Sequence, residues 1–226
     1  MNQEIIRVFI VDDHPFFRAG LRLSIEMETD MEICGECDEG IGAAQKTMEA
    51  QTDVLLLDLT LRDYHGLSVI RDLRHADFKG AILVISMHDE NIYAERVLDA
   101  GAQGFVSKDE APDLVVDAIR KVAEGHVYLS ERARTRLLSR FRKPSGDQDI
   151  SHKAAVASLS DRQLEVFELM GIGLSTAGIA SRLHIGDKTV ETHYRQIKSK
   201  LQAETMRELI CHAANWVGTQ GKLDEK

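Results

Sequence analysis

The stretch Asp53–Asp58, DVLLLD, holds four consecutive apolar residues between two acids. A short, wholly apolar run of this kind suits a strand buried on both faces, as in the middle of a parallel sheet. Asp58 then stands where the buried strand emerges into a loop. In open α/β sheets, ligands and chemistry gather at the carboxyl ends of the strands. A lone Asp there would only cap the next turn, so its neighbours decide.

Working outward, strand and helix patterns alternate. Residues 5–11 are strand-like and end in Asp12-Asp13. A helix is predicted over 15–28, with Pro15 suited to its first turn and Phe16, Phe17, Leu21, Leu23 and Ile25 as its apolar positions. A strand over 31–37, a helix over 41–50, the strand before Asp58 and a helix after Gly66 follow. AILVIS at 81–86 is a further buried strand. Then come a helix over 91–100 closed by Gly101, a strand over 104–107, and a helix over 112–124 closed by Gly125. This alternation predicts an α/β, five-stranded, doubly wound parallel sheet with helices on both faces.

The polar residues at the carboxyl ends of these strands are Asp12 and Asp13, Asp58, Ser86 and Lys108. Carboxylates packed together repel and raise one another's pKa. Mg²⁺ removes that conflict, because it prefers a few carboxylates, waters and a phosphate oxygen. The lysine offers a point charge to an anion and the serine a hydrogen bond. The set reads as a phosphoryl-transfer site with a carboxylate nucleophile. It requires Asp58 to be open to solvent and to stand beside the other two acids and the amine.

The net charge of −9 is unevenly spread. Residues 1–130 hold 12 Lys and Arg against 25 Asp and Glu, whereas residues 151–226 hold 10 against 9. The front half is therefore a poor nucleic-acid surface, and the back half is free to be one. The chain has no apolar run near the roughly 20 residues of a membrane span. Its first residues enter a strand pattern directly, so a cytoplasmic location is expected. Cys34 and Cys37 form a C-x-x-C at the end of a strand-like run. Without a helix N-terminus to lower a thiol pKa, two inert thiols are the expected reading over redox chemistry.

Residues 129–143, LSERARTRLLSRFRK, predict a helix capped by Ser130, with Leu137, Leu138 and Phe141 as a narrow apolar stripe. Its arginines are expected to be solvated rather than to contact phosphate. A flexible connector, KPSGDQDISHK, should follow. Beyond it, helices are predicted from Ser160, from Ser175, from a capping Asp187 and over 204–216. Two helices joined by a tight turn, the second rich in Lys, Arg, His, Thr and Gln, form a helix-turn-helix signature. On that second helix Val190, Ile197 and Leu201 should face the core. Lys188, Thr189, Thr192, Arg195, Gln196 and Ser199 should face outward, as groups that bond base edges and phosphates. Glu191 has the wrong sign for phosphate; it either accepts from a cytosine amine or tunes the field.

VDDHPFFRAGL, DVLLLDL, VISMHDE and AGAQGFVSK, in that order, resemble the receiver domain of two-component response regulators. LSDRQLEVFELMGIGLSTAGIASRLHIGDKTVETHYRQIKSKL resembles the LuxR-type helix-turn-helix. Together they look like a NarL/FixJ-class response regulator: a receiver over 5–124, a linker with a helical segment over 125–155, and a small all-α, four-helix DNA-binding domain over 156–221. The resemblance implies phosphorylation of Asp58 by a histidine kinase. Mg²⁺ would be held by Asp13, Asp58 and the Thr60 carbonyl, with Asp12 acting largely through water. Ser86 and Lys108 would hold the phosphoryl oxygens. Phe105 would be the switch aromatic that turns inward when Ser86 moves, or simply a core residue. Glu191, Thr192 and Arg195 would meet DNA, which a homodimer binds as double-stranded promoter sequence.

The chain departs from the family pattern at Arg62, where a Pro is usual. It departs again at Gln163 and Gly178, each for a usual Glu, and at Gly186 for a usual Ser. Gly178 costs up to about 1 kcal/mol of helix propensity. A regulator that binds DNA without phosphorylation, its receiver serving only for dimerisation, is the alternative. An aspartyl-phosphate phosphatase is a third reading, against which the attached helix-turn-helix argues. The chain is thus expected to be no enzyme beyond its own phosphorylation and dephosphorylation.

Overall fold

The computed structural model describes residues 5–62, 64–110, 112–140 and 152–220. Five strands, β1 (Ile6–Val11), β2 (Met31–Cys37), β3 (Val54–Leu57), β4 (Ala81–Ser86) and β5 (Gly104–Ser107), form one parallel sheet in the order β2-β1-β3-β4-β5. The DVLLLD strand is thus central, and all four residues of β3 are buried. Parallel neighbours need crossovers. These are supplied by α1 (Pro15–Glu26), α2 (Ala43–Glu49), α3 (Gly66–His75), α4 (Glu90–Ala100) and α5 (Pro112–Ala123).

Alternation along the strands divides the core into two layers. Val8, Ile10, Val54, Leu56, Leu83 and Ile85 pack with Leu21 and Ile25 of α1 and with Val116 and Ile119 of α5. The intervening residues, among them Phe9, Leu55, Leu57, Val84 and Phe105, are buried on the opposite face, the side of Leu67 and Ile70 of α3 and Ile92 and Val97 of α4. Helix α1 departs from expectation. Only the row Phe17, Leu21, Ile25 meets the core, whereas Phe16 is 92% and Leu23 63% exposed. The reason is helical spacing: 17, 21 and 25 recur every four residues on one face, and 16 and 23 fall on another.

Helix α6 (Glu131–Arg140) follows. Ser130 caps it, its hydroxyl accepting from the backbone N–H of Ala133 at 3.2 Å. The Ser130 N–H and hydroxyl in turn donate to the carboxylate of Glu90 on α4. Leu129 and Ala133 are buried, whereas Leu138 of the expected stripe is exposed. Phe141 and most of the predicted connector lie outside the described residues.

The chain divides into two compact units, Met1–Lys143 and Pro144–Lys226. The second contains α7 (His152–Ala157), α8 (Asp161–Gly171), α9 (Thr176–Arg182), α10 (Asp187–Lys200) and α11 (Met206–Gln220). Its core includes Leu164, Phe167, Met170, Ile179, Val190, Ile197, Leu209 and Trp216. Helix α7 occupies residues read in part as connector. Ser160 and Gln163 close a reciprocal capping box at the start of α8. Asp187 is not the cap expected of it. Gly186 occupies the cap position of α10 without a side-chain bond, and Asp187 is the first helical residue, where its charge favours the helix dipole. Among the described residues no helix is long and apolar enough to cross a membrane.

Candidate functional site

The parallel registers bring the strand ends to one edge: Val11 pairs with Leu57, Leu57 with Val84, and Ser86 with Ser107. Backbone bonds carry the alignment one residue further, from Asp58 N–H to Val11 O at 2.9 Å and from Lys108 N–H to Ser86 O at 3.0 Å. The residues just beyond the strands therefore meet. Lys108 Nζ lies 2.7 Å from Asp12 Oδ2 and 2.7 Å from Asp58 Oδ2, with all three side chains nearly buried. The Phe17 ring centroid lies 4.6 Å from the same ammonium. Asp58 Oδ1 accepts from the Thr60 N–H at 3.2 Å.

Two basic side chains stand at Asp13. His14 Nδ1 is 2.9 Å from Asp13 Oδ1, 3.5 Å from Asp12 Oδ1 and 3.8 Å from Asp58 Oδ2. Arg62 Nε is 3.5 Å from Asp13 Oδ2, and its terminal nitrogen donates to the Asp13 carbonyl at 3.3 Å. Arg18 donates to the carbonyl of Asp12. The reading from sequence gave no role at the site to His14, Phe17 or Arg18. The only available signal was their position, immediately after the paired acids and on the face of α1 that approaches them.

The expectation that Asp58 is open to solvent is not met: the residue is 3% exposed. Lys108 lies against its carboxylate and His14 stands within 4 Å, so these two side chains cover the group. Burial pushes the Asp58 carboxyl above the usual carboxylate range, and Asp12 pushes the same way, against the pull of Lys108. Ser86 lies at the same edge, wholly buried, but its hydroxyl accepts from the His88 N–H at 3.3 Å. The Thr60 hydroxyl meets His88 Nε2 at 2.8 Å, and the His88 ring stacks on buried Tyr93. Phe105 is buried on β5, so the inward position expected of an activated switch is already taken.

The donor set suits a hard divalent cation. Asp12, Asp13 and Asp58, with His14, offer ligand atoms all within 4.8 Å of one another. Three carboxylates face a single buried ammonium, and the surplus negative charge favours an ion held by oxygen.

In the second unit the predicted outward set is on one exposed face of α10: Lys188, Thr189, Glu191, Thr192, Arg195, Gln196 and Ser199. Val190 and Ile197 are wholly buried beneath it. Thr192 donates to the Lys188 carbonyl at 2.9 Å and accepts from Arg195 at 3.2 Å, which aligns the arginine along the helix. The C-x-x-C thiols are free; both lie on β2, and burial raises the Cys37 thiol, which disfavours the reactive thiolate.

Residues 8–120 match the family model for the response regulator receiver domain, and residues 157–213 match that for bacterial regulatory proteins of the luxR family. The chain is 33% identical over 199 residues to the nitrate/nitrite response regulator protein NarP of Escherichia coli K12, covering 88% of this chain and 90% of that one. It is 31% identical over 209 residues to the oxygen regulatory protein NreC of Staphylococcus carnosus, covering 92% and 96%. In fold it is similar to the RcsB response regulator of Salmonella typhimurium, with a TM-score of 0.73 at 23% identity, covering 94% of this chain and 98% of that one.

Proposed function

Because this chain belongs to the NarL/FixJ class of two-component response regulators, we propose that it is a transcription regulator switched by phosphorylation of Asp58. The phosphodonor is the phosphohistidine of a cognate kinase. An Asp58 carboxylate oxygen attacks phosphorus, the P–N bond breaks, and the imidazole nitrogen leaves with its electron pair and takes up a proton. Asp13, Asp58 and the carbonyl of Thr60, with Asp12 largely through water, would hold Mg²⁺, which would supply charge neutralisation to the transferring group. Lys108, already on the Asp58 carboxylate, pairs with a phosphoryl oxygen, and the Ser86 hydroxyl, which accepts from the His88 N–H, donates its O–H to another. Phe105, already inward on β5, serves here as a core residue rather than as an aromatic that turns in.

Added charge at the rim biases the arrangement of the chain toward a DNA-competent homodimer. Two half-sites give the affinity one small domain lacks. Lys188, Thr189, Glu191, Thr192, Arg195, Gln196 and Ser199 of α10 then meet the promoter. The receiver spans 5–124, the linker 125–155 and the DNA-binding domain 156–221.

The observation that carries this reading is the Lys108 ammonium bridging two carboxylates at 2.7 Å each; because Asp58 is covered, transfer requires Lys108 and His14 to draw aside for the donor. The test is labelling by acetyl phosphate. Wild type should take one Mg²⁺-dependent phosphoryl group, and Asp58→Asn none. The cover over Asp58 and the pairing of Arg62 with Asp13 favour a second reading, in which the regulator binds DNA unphosphorylated and its receiver serves for dimerisation. Absence of label on folded wild type, with DNA binding intact, would decide for that alternative.

A further inference from the structure

Gln163 stands where the family pattern usually has Glu, and its surroundings fix which way its amide points. It lies on α8, buried, at the third helical position. Its Oε1 accepts from the Ser160 N–H at 3.0 Å and from Lys200 Nζ at 2.8 Å. Both partners can only donate, so that end of the amide must be the oxygen. The other end, the NH₂, faces α10 and donates to Gln196 Oε1 at 3.0 Å. Gln196 is thereby oriented in turn: its oxygen is turned inward, and its own NH₂ is left at the exposed face. Gln163, Arg195, Gln196, Ser199 and Lys200 line one open groove. Arg195, Lys200 and the outward end of Gln196 all present N–H donors there.

We infer that Gln163 is a positioning residue that makes Gln196 a donor-only contact to DNA, aimed at an acceptor. This rests on the DNA-binding reading of α10. A glutamine reading adenine needs its oxygen and nitrogen together at the N6/N7 edge. Here the oxygen is committed to Gln163, so the bidentate adenine contact is not made. The partner is a hydrogen-bond acceptor: a purine N7, a guanine O6, a thymine O4, or a phosphate oxygen. A glutamate at 163 would reverse the arrangement. Its carboxylate has no donor, so the Gln196 NH₂ would turn inward to it and an acceptor would face the groove. It would also pair with Lys200, whose ammonium now bonds only neutral groups, the Ser158 carbonyl and the Gln163 amide, among the described contacts.

The experiment is selection of bound sites from a randomised double-stranded DNA pool by the full-length chain, with and without acetyl phosphate. Wild type, Gln163→Glu, Gln196→Ala and the double variant are compared, with helical content checked by circular dichroism. If the partner is a base, Gln196→Ala flattens the preference at one position of each half-site. Gln163→Glu then disfavours the wild-type base there by roughly three- to tenfold, the scale of one hydrogen bond. If the partner is a phosphate, the selected motif is unchanged and both variants weaken all sequences alike.

In either arm, Gln163→Glu must act about threefold or more strongly when Gln196 is present than in the Gln196→Ala background. That coupling separates orientation from the added charge. An equal effect of Gln163→Glu in both backgrounds overturns the inference, as does a Gln196→Ala variant that binds and selects as wild type does. Enrichment of no sequence by folded wild type removes the DNA-binding reading itself, and this inference with it.

Discussion

Lys108 holds its ammonium 2.7 Å from Oδ2 of Asp58, with both side chains almost wholly buried. The same nitrogen serves Asp12. Removing the cation strands two buried carboxylates, whereas removing one carboxylate leaves a matched pair. Lys108→Met should therefore destabilise the receiver by about 3–5 kcal/mol, and Asp58→Asn by less than about 1 kcal/mol, or not at all. Urea unfolding of both variants checks this. Equal losses would show that the ammonium is not the keystone of the charge cluster.

Arg62 meets Asp13 from a largely exposed position. An exposed pair is worth at most about 1 kcal/mol, yet the guanidinium must loosen when Asp13 takes a metal. Arg62→Ala is expected to tighten Mg²⁺ binding by about two- to fivefold, measured by titration calorimetry on the full chain. Unchanged or weaker binding would mean that Arg62 does not compete with the ion.

Gly66 opens α3 against the backbone of the acceptor loop. A Cβ there would lie 2.5 Å from the Asp58 carbonyl oxygen and 2.7 Å from Leu59 Cα. Neither is a flexible side-chain end, so the loop must shift. Gly66→Ala should cost about 1–3 kcal/mol and slow acetyl phosphate labelling. A variant with wild-type melting temperature and labelling rate would rule out this close approach.

His193 sits on α10 with its Nδ1 buried and, among the described residues, without a hydrogen-bond partner. Burial, reinforced by Arg162, holds its pKa below the ordinary 6.5, against a smaller opposing pull from Glu165. A depressed histidine means that the unfolded chain binds the proton more readily. Its stability contribution is complete above about pH 6.5 and is lost as pH falls toward the lowered folded value. The DNA-binding unit should melt earlier at pH 5.5 than at pH 7.5, and His193→Gln should reduce that difference. A pH response unchanged by the substitution would assign it elsewhere.

Arg195 is exposed on α10 and is braced by Thr192. Arg195→Ala should weaken DNA binding by about tenfold, within the range of one charged contact, and leave Asp58 labelling intact. Parallel loss of both would point to misfolding.

Fold class and the succession of strands and helices along the chain were legible because they rest on local signals. DVLLLD and AILVIS are short apolar runs that suit buried strands, and glycines such as Gly101, at φ 110°, end helices where a left-handed residue is needed. The convergence of acids and lysine followed from the rule that parallel strands end together. The exposure of Phe16 and Leu23 did not, because an apolar list without an angle does not say which row meets the core. The short α7 was hidden in part by connector-like composition.

Residue types and their order along the chain determined a parallel sheet, an acidic rim and a helix-turn-helix, since each depends on neighbours a few positions apart. Tertiary structure alone decided that Asp58 is covered by Lys108 and His14, that Arg62 reaches Asp13 across 49 residues, and that Gln163 turns the amide of Gln196. Those relations depend on distance and direction between side chains far apart in sequence, and periodicity along a chain carries neither.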